Sequence, residues 1–194
     1  MDKVSYALGL SIGNNFINSG IKELSTEDFV RGLKDVLEEK EPAIKYEEAQ
    51  KVITEYFSRL QKDRYENNKA AGEEFLKING HRDDVTTLPS GVQYRVLKRG
   101  EGPKPSLTDR VKCHYHGTLI NGVVFDSSVD RGEPAVFPVN GVIKGWQEIL
   151  QLMPVGSQWR VTVPYHLAYG EQGAGNAIEP YSTLNFDIEL LDIV

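Results

Sequence analysis

The chain has a single cysteine, Cys113, in 194 residues, so no internal disulfide can form. That fits a reducing compartment without demanding one. Cys113 stands between Lys112 and His114 in a strand-like run and reads as a buried structural thiol. Positive charge is also scarce. Lys and Arg total 22 against 28 Asp and Glu, giving a net charge of −6 and a pI of about 5.3. Binding to nucleic acid or to an anionic membrane surface needs clustered cations, so neither is expected as a partner. No apolar run approaches the length of a membrane span. The opening residues, M-D-K-V-S-Y-A-L-G-L, lack the continuous apolar stretch of a secretory signal. The expected location is cytoplasmic, with a periplasmic or cell-surface alternative if a signal sequence has been removed.

Several chemistries lack their motifs as well. There is no G-x-x-x-x-G-K phosphate loop, no H-E-x-x-H and no C-x-x-C. The glycines of Y-G-E-Q-G-A-G-N, residues 169–176, fit no dinucleotide fingerprint and read as a loop. His114 and His116 share one strand face, but alternation turns them toward solvent and no third ligand lies nearby. No metal and no cofactor are expected.

What the sequence does contain divides into two halves, and T-T-L-P-S-G-V, residues 86–92, punctuates the boundary. The first half has helical spacing. Val4, Ala7, Leu8, Leu10, Ile12, Phe16 and Ile17 belong to a helix that is apolar nearly all round, so it must be covered nearly all round. Gly9 and Gly13 lie on one side of it and imply close approach by another helix. Ser25 caps a second helix whose apolar face is Phe29, Val30, Leu33, Val36 and Leu37. After Pro42, a stripe of Ala49, Val52, Ile53, Tyr56, Phe57 and Leu60 begins a third helix. Helix-forming residues continue to about Ile78 without an apolar face, which favours a helix of about 50 Å whose second half stands in solvent as a spacer; the alternative is a helix that ends near Arg64, followed by a charged linker. Three helices in sixty residues make a thin core, so homodimerisation through residues 1–60 is expected.

The second half alternates with period two: Val92, Tyr94 and Val96; Val111, Cys113 and Tyr115; Trp159, Val161 and Val163; Leu184, Phe186, Ile188 and Leu190. That pattern predicts antiparallel strands with one wet face. One short helix, from Trp146 to Met153, is left to cover the dry face. The expected fold class is α+β: a helical N-terminal segment and long connecting helix, then an antiparallel sheet curled around one short helix. The expected division is 1–60, 61–85 as linker and hinge, and 86–194.

One stretch is odd. In N-G-V-V-F-D-S-S, residues 121–128, the carboxylate of Asp126 directly follows a short apolar strand, where burying a charge is costly. Either it only begins a turn or it stands at the wall of an apolar pocket, held by Tyr115 or Arg131. Tyr115, Phe125, Phe137, Trp146, Tyr169, Tyr181 and Phe186 come from separate elements and fit either a solid aromatic core or the lining of such a pocket.

At these residues the chain resembles a known family. V-F-D-S-S-x-x-R-G-E-P (124–134), V-N-G-V-I-K-G-W (139–146), L-M-P-V-G-S, A-Y-G and S-T-L-N-F-D-I-E-L-L follow the order seen in FKBP-type peptidyl-prolyl cis-trans isomerases. N-K-A-A-G-E-E-F-L (68–76) with L-P-S-G-V-Q-Y behind it resembles the Mip-like subgroup, whose N-terminal helices dimerise. The resemblance implies an enzyme that accelerates X-Pro rotation in proline-containing, partly folded chains, with chaperone-like activity. It implies a prolyl site with Asp126, Tyr169, Phe137 and Tyr115 as catalytic residues. Phe125, Val142, Ile143, Trp146, Ile178, Tyr181 and Phe186 would bind substrate, with Trp146 as the floor. Macrolides such as rapamycin are possible ligands. The chain departs from the family pattern at Ala135, commonly aromatic, and at Glu179-Pro180, commonly a double proline. The rival reading is a dimeric holdase or scaffold that uses the same pocket without catalysis.

Overall fold

The computed structural model describes residues 1–21 and 23–194. The chain divides into two compact units, Met1–Arg64 and Tyr65–Val194. The first holds α1 (Lys3–Asn18), α2 (Thr26–Leu37) and the beginning of α3 (Tyr46–Gly80). Asp2 caps α1 by accepting from the Ser5 N–H at 2.7 Å, and Ser25 caps α2 through the Asp28 N–H, as its sequence predicts. An edge-to-face pair, Phe16 against Phe29 at 5.3 Å, joins α1 to α2. No described residue of this unit is buried.

The second unit contains a seven-stranded antiparallel sheet. Its strands are β1 (Thr86–Thr87), β2 (Gln93–Lys98), β3 (Arg110–Leu119), β4 (Val124–Ser127), β5 (Ala135–Pro138), β6 (Gln158–Val163) and β7 (Leu184–Ile193). They lie in the order β1-β2-β6-β7-β3-β4, and β5 pairs with the first half of β3 beside β4. Two helices interrupt them: the single turn α4 (Ser128–Arg131), which the sequence reading missed, and α5 (Lys144–Leu150). The predicted alternation holds, with Val111, Cys113 and Tyr115 buried on β3 and Leu184, Phe186, Ile188 and Leu190 buried on β7. α5 lays Trp146, Ile149 and Leu150 on this face, and Met153 follows in the turn beyond it. Burying each such side chain contributes about 1.5–3 kcal/mol. Gly145 permits the approach, since a Cβ there would lie 2.5 Å from Val163 Cγ1.

α3 differs from the expected spacer. The helix is unbroken, but its second half is not a spacer standing in solvent. From Tyr65 onward it packs on the second unit: Gln93 Nε2 donates to the Leu76 carbonyl at 2.8 Å, Asn79 donates to Gln93 Oε1 at 2.9 Å, and Gly72 is buried against Thr183. These contacts are polar or involve glycine, so no apolar stripe announced them.

A candidate prolyl-isomerase site

The site begins at an irregularity between β3 and β4. Gly117 pairs with Asp126 and Thr118 pairs with Val124, leaving Phe125 as an extra residue. Successive residues of a regular strand face opposite ways, and a bulge suspends that rule. Phe125 and Asp126 therefore both reach the inner face. The Phe125 ring meets Phe186 edge-on at 5.5 Å, and the Tyr115 hydroxyl donates to Asp126 Oδ2 at 2.5 Å. Gly117 makes room, since a Cβ there would lie 2.7 Å from the Phe125 ring.

The two serines behind Asp126 have separate tasks. Ser127 Oγ caps α4 by accepting from the Asp130 N–H at 3.1 Å. Ser128 Oγ, fully buried, accepts from the Tyr115 N–H at 2.7 Å and donates to the Tyr115 carbonyl at 3.2 Å, which ties β3 where the tyrosine leaves it. The turn of α4 then brings back Arg131. Its guanidinium pairs with Asp126 Oδ1, donates to the Tyr115 hydroxyl at 2.8 Å and lies over the Tyr115 ring. Burial pushes the Asp126 carboxyl up, but the hydrogen bonds from Tyr115 and Arg131 outweigh it and hold the group below the usual carboxylate value. Burial and the bond to Asp126 push the Tyr115 hydroxyl up, against the pull of Arg131. Asp126 is thus an ionised, pinned acceptor. A carboxylate this acidic is poorly suited to act as a general base near neutral pH.

Trp146 is the centre of the aromatic set. Its indole meets Tyr115, Phe137 and Phe186 edge-on at 5.5, 5.9 and 5.2 Å. Exposure is graded. Trp146 and Phe186 are each 4% exposed, Phe125, Phe137, Val142 and Ile143 are half-buried, and Tyr169 is 40% exposed. This gradation, from a buried indole through half-buried rings to an exposed tyrosine, is the one the lining of a surface pocket would have. Val142 and Ile143 lead into α5, where Gln147 Nε2 fixes the Val142 carbonyl at 2.7 Å. Burial and the nearby Asp126 charge push the Tyr169 hydroxyl up, so it remains a donor. Ile178 is buried in the same apolar cluster. Tyr181 stands apart from these rings and packs between Tyr165 and Tyr65 at 5.2 and 5.9 Å.

His114 and His116 are half-buried, each within hydrogen-bond distance of a serine, at 3.1 Å from Ser128 and 2.9 Å from Ser127. Burial pushes the Cys113 thiol up to about 12, which leaves it protonated and inert. A separate groove of about 450 Å³ lies between the end of α3 and the outer face of the sheet. Its arginines are already engaged, Arg160 with Asp187 and Arg82 and Arg95 with Asp84.

Comparison with known proteins decides what this site belongs to. Residues 102–191 match the model of the FKBP-type peptidyl-prolyl cis-trans isomerase family, and residues 1–96 match that of the domain amino terminal to it. The FKBP-type 22 kDa peptidyl-prolyl cis-trans isomerase of Escherichia coli K12 is 48% identical over 99% of this chain and 95% of its own length. The chain belongs to the FKBP-type peptidyl-prolyl cis-trans isomerases.

The isomerase is also 40% identical to the outer membrane protein MIP of Legionella longbeachae, over 99% of this chain and 85% of the relative. The crystal structure of FkpA from Escherichia coli superposes with a TM-score of 0.78 at 34% identity, covering 98% of the isomerase and 95% of FkpA. The α+β architecture expected from the sequence is thereby established. Sequence reasoning missed Ser128, which fixes the strand behind Tyr115. It named Arg131 only as a possible partner of Asp126. The R in D-S-S-x-x-R was the available signal, because one turn of helix brings it back to the carboxylate.

Proposed function

We propose that the isomerase turns X-Pro bonds in the Trp146-centred hollow, with the pinned Asp126 at its wall. Rotation must break amide resonance, a barrier of ~18–20 kcal/mol. Unaided, an X-Pro bond takes roughly tens to hundreds of seconds to turn. No covalent bond is made or broken, so catalysis requires only that the twisted amide bind more tightly than either planar form. Twisting removes the amide's charge separation. Apolar rings of Phe125, Phe137, Trp146 and Phe186 therefore favour the twisted state over the planar one. Tyr169 offers its hydroxyl to a substrate carbonyl, and Asp126, fixed by Tyr115 and Arg131, acts electrostatically on the turning carbonyl. The supporting observation is the buried indole floor surrounded by half-open rings with an ionised carboxylate bonded beside them. A macrolide such as rapamycin would lodge in the same hollow, with Ala135 leaving one wall low.

The protein works as a homodimer through residues 1–60. Support comes from the N-terminal unit, where Val4, Leu8, Ile17, Val36 and Leu37 are 58–73% exposed. Apolar helices with no buried residue need a second copy to cover them. Two sites on one dimer would hold a proline-containing, partly folded chain at two points and give a chaperone-like gain. A relative named as an outer membrane protein favours the periplasmic or cell-surface alternative over the cytoplasmic expectation. No described helix is long and apolar enough to cross a membrane.

The test is a protease-free assay of a short X-Pro peptide. Phe137→Ala should lower kcat/KM about tenfold to a hundredfold, matching the loss of ~1.5–3 kcal/mol of apolar contact. Full activity in a folded Asp126→Leu variant would remove Asp126 from the mechanism.

A further inference from the structure

The loop from Tyr169 to Thr183 carries two of the site residues, Tyr169 and Ile178, and also Tyr181. It is conformationally demanding. Gly170, Gly173 and Gly175 have positive φ, and so does Tyr181 at +61°, where an L side chain is disfavoured. Inside the loop, Ala174 and Ile178 exchange two backbone hydrogen bonds, and the Tyr181 N–H donates to the Gly170 carbonyl at 2.9 Å. The outer side of residues 179–183 is held from α3. Tyr65 meets the Tyr181 ring. One turn on, Asn68 Nδ2 donates to Glu179 Oε2 at 3.0 Å and to the Pro180 carbonyl at 3.2 Å. A further turn on, Gly72 closes on Thr183 so tightly that a Cβ would collide with its hydroxyl. Positions 65, 68 and 72 lie on one helical face, so three successive turns grip one short segment.

We propose that Asn68 is a positioning residue of the isomerase: from α3 it fixes the backbone at residues 179–181, and through it the placement of the adjoining Ile178 against substrate. The second half of α3 thereby belongs to the substrate-binding apparatus. The inference rests on the assignment of the prolyl site above. Asn68 touches no reacting atom, so its removal should change how tightly substrate is held and not the rate of rotation once bound.

The experiment uses the full chain and short X-Pro peptides that differ in the residue before proline. Asn68→Ala should raise KM about threefold to tenfold, the change that follows from losing one or two net hydrogen bonds, with kcat within about twofold. Glu179→Ala should act in the same direction, and the double variant should be no worse than Asn68→Ala. Glu179→Gln, which keeps an acceptor oxygen, should restore most of the affinity. Unchanged KM in folded Asn68→Ala, or simple addition of the two alanine effects, overturns the proposal. If Asn68→Ala does not fold, Glu179→Ala carries the same test, and unchanged KM there has the same consequence. If the wild-type chain fails to turn such peptides, the prolyl-site assignment is what falls. The clamp is then judged by amide exchange at Ile178 and Tyr181, where faster exchange in Asn68→Ala or Glu179→Ala supports it and unchanged exchange overturns it.

Discussion

Phe125 and Asp126 are neighbours that an undisturbed strand would send to opposite faces, and one extra residue in the β3–β4 ladder brings both to the aromatic set on the inner face. The resulting Tyr115–Asp126–Arg131 group has a definite pH signature. The Asp126 carboxyl lies lower in the folded chain than its ordinary value of 3.8, so the unfolded chain binds its proton more readily. Its contribution is fully present above about pH 4 and is lost as pH falls through the folded value. The Tyr115 hydroxyl is shifted upward, so its contribution is intact below about pH 10 and is lost on further alkalinisation. Asp126→Asn should therefore cost about 1 kcal/mol of stability, discounted for the partial exposure of the pair, at a constant level between about pH 5 and 9. The deficit should shrink below about pH 4, as chemical denaturation across pH would show. The kcat/KM of the wild type should be flat over the same range, because no proton is transferred.

At the scale of the element, glycine separates two kinds of helix face. In an exposed helix interior, Gly→Ala gains about 1 kcal/mol of propensity. Nothing lies within 4 Å of a Cβ built on Gly9 or Gly13 of α1, so the single chain would gain from alanine at either position. If a second copy closes on that face, the sign reverses: Gly13→Ala should weaken the dimer, read as a higher dissociation constant by sedimentation. Gly72 of α3 presents the opposite case within one chain. Thr183 occupies the space a methyl would need, so Gly72→Ala should destabilise by about 1–3 kcal/mol despite the gain in propensity. A lowered melting temperature for Gly72→Ala, set beside an unchanged or raised one for Lys77→Ala at an exposed position of the same helix, would locate the effect in the contact.

For the whole molecule, the proposed site and the proposed dimer surface fall in different units. The proposed prolyl site lies wholly within Tyr65–Val194, and Met1–Arg64 holds apolar faces with no described residue buried. Removing residues 1–60 should leave the turnover of short peptides within about twofold. The same deletion should slow catalysed refolding of a protein limited by one X-Pro bond by about tenfold or more, because two-point capture is lost. Equal losses on both substrates would count against the division.

The sequence by itself determined the periodicities: three helices, the wet and dry strand faces, the Ser25 cap, and a ring set gathered by residues from separate elements. These were legible because each repeats a local rule of side-chain direction. The docked second half of α3 was not legible, since Asn68, Gly72 and Gln93 make contacts without an apolar stripe. Nor was the approach of Phe125 and Asp126 to one face, because a bulge is a property of two paired strands and neither strand encodes it alone. Tertiary structure decided where Asp126 points, what holds its charge, and which helix holds the loop beside the site. Each depends on groups distant in sequence meeting within hydrogen-bond reach, and spacing along one segment carries no information about that.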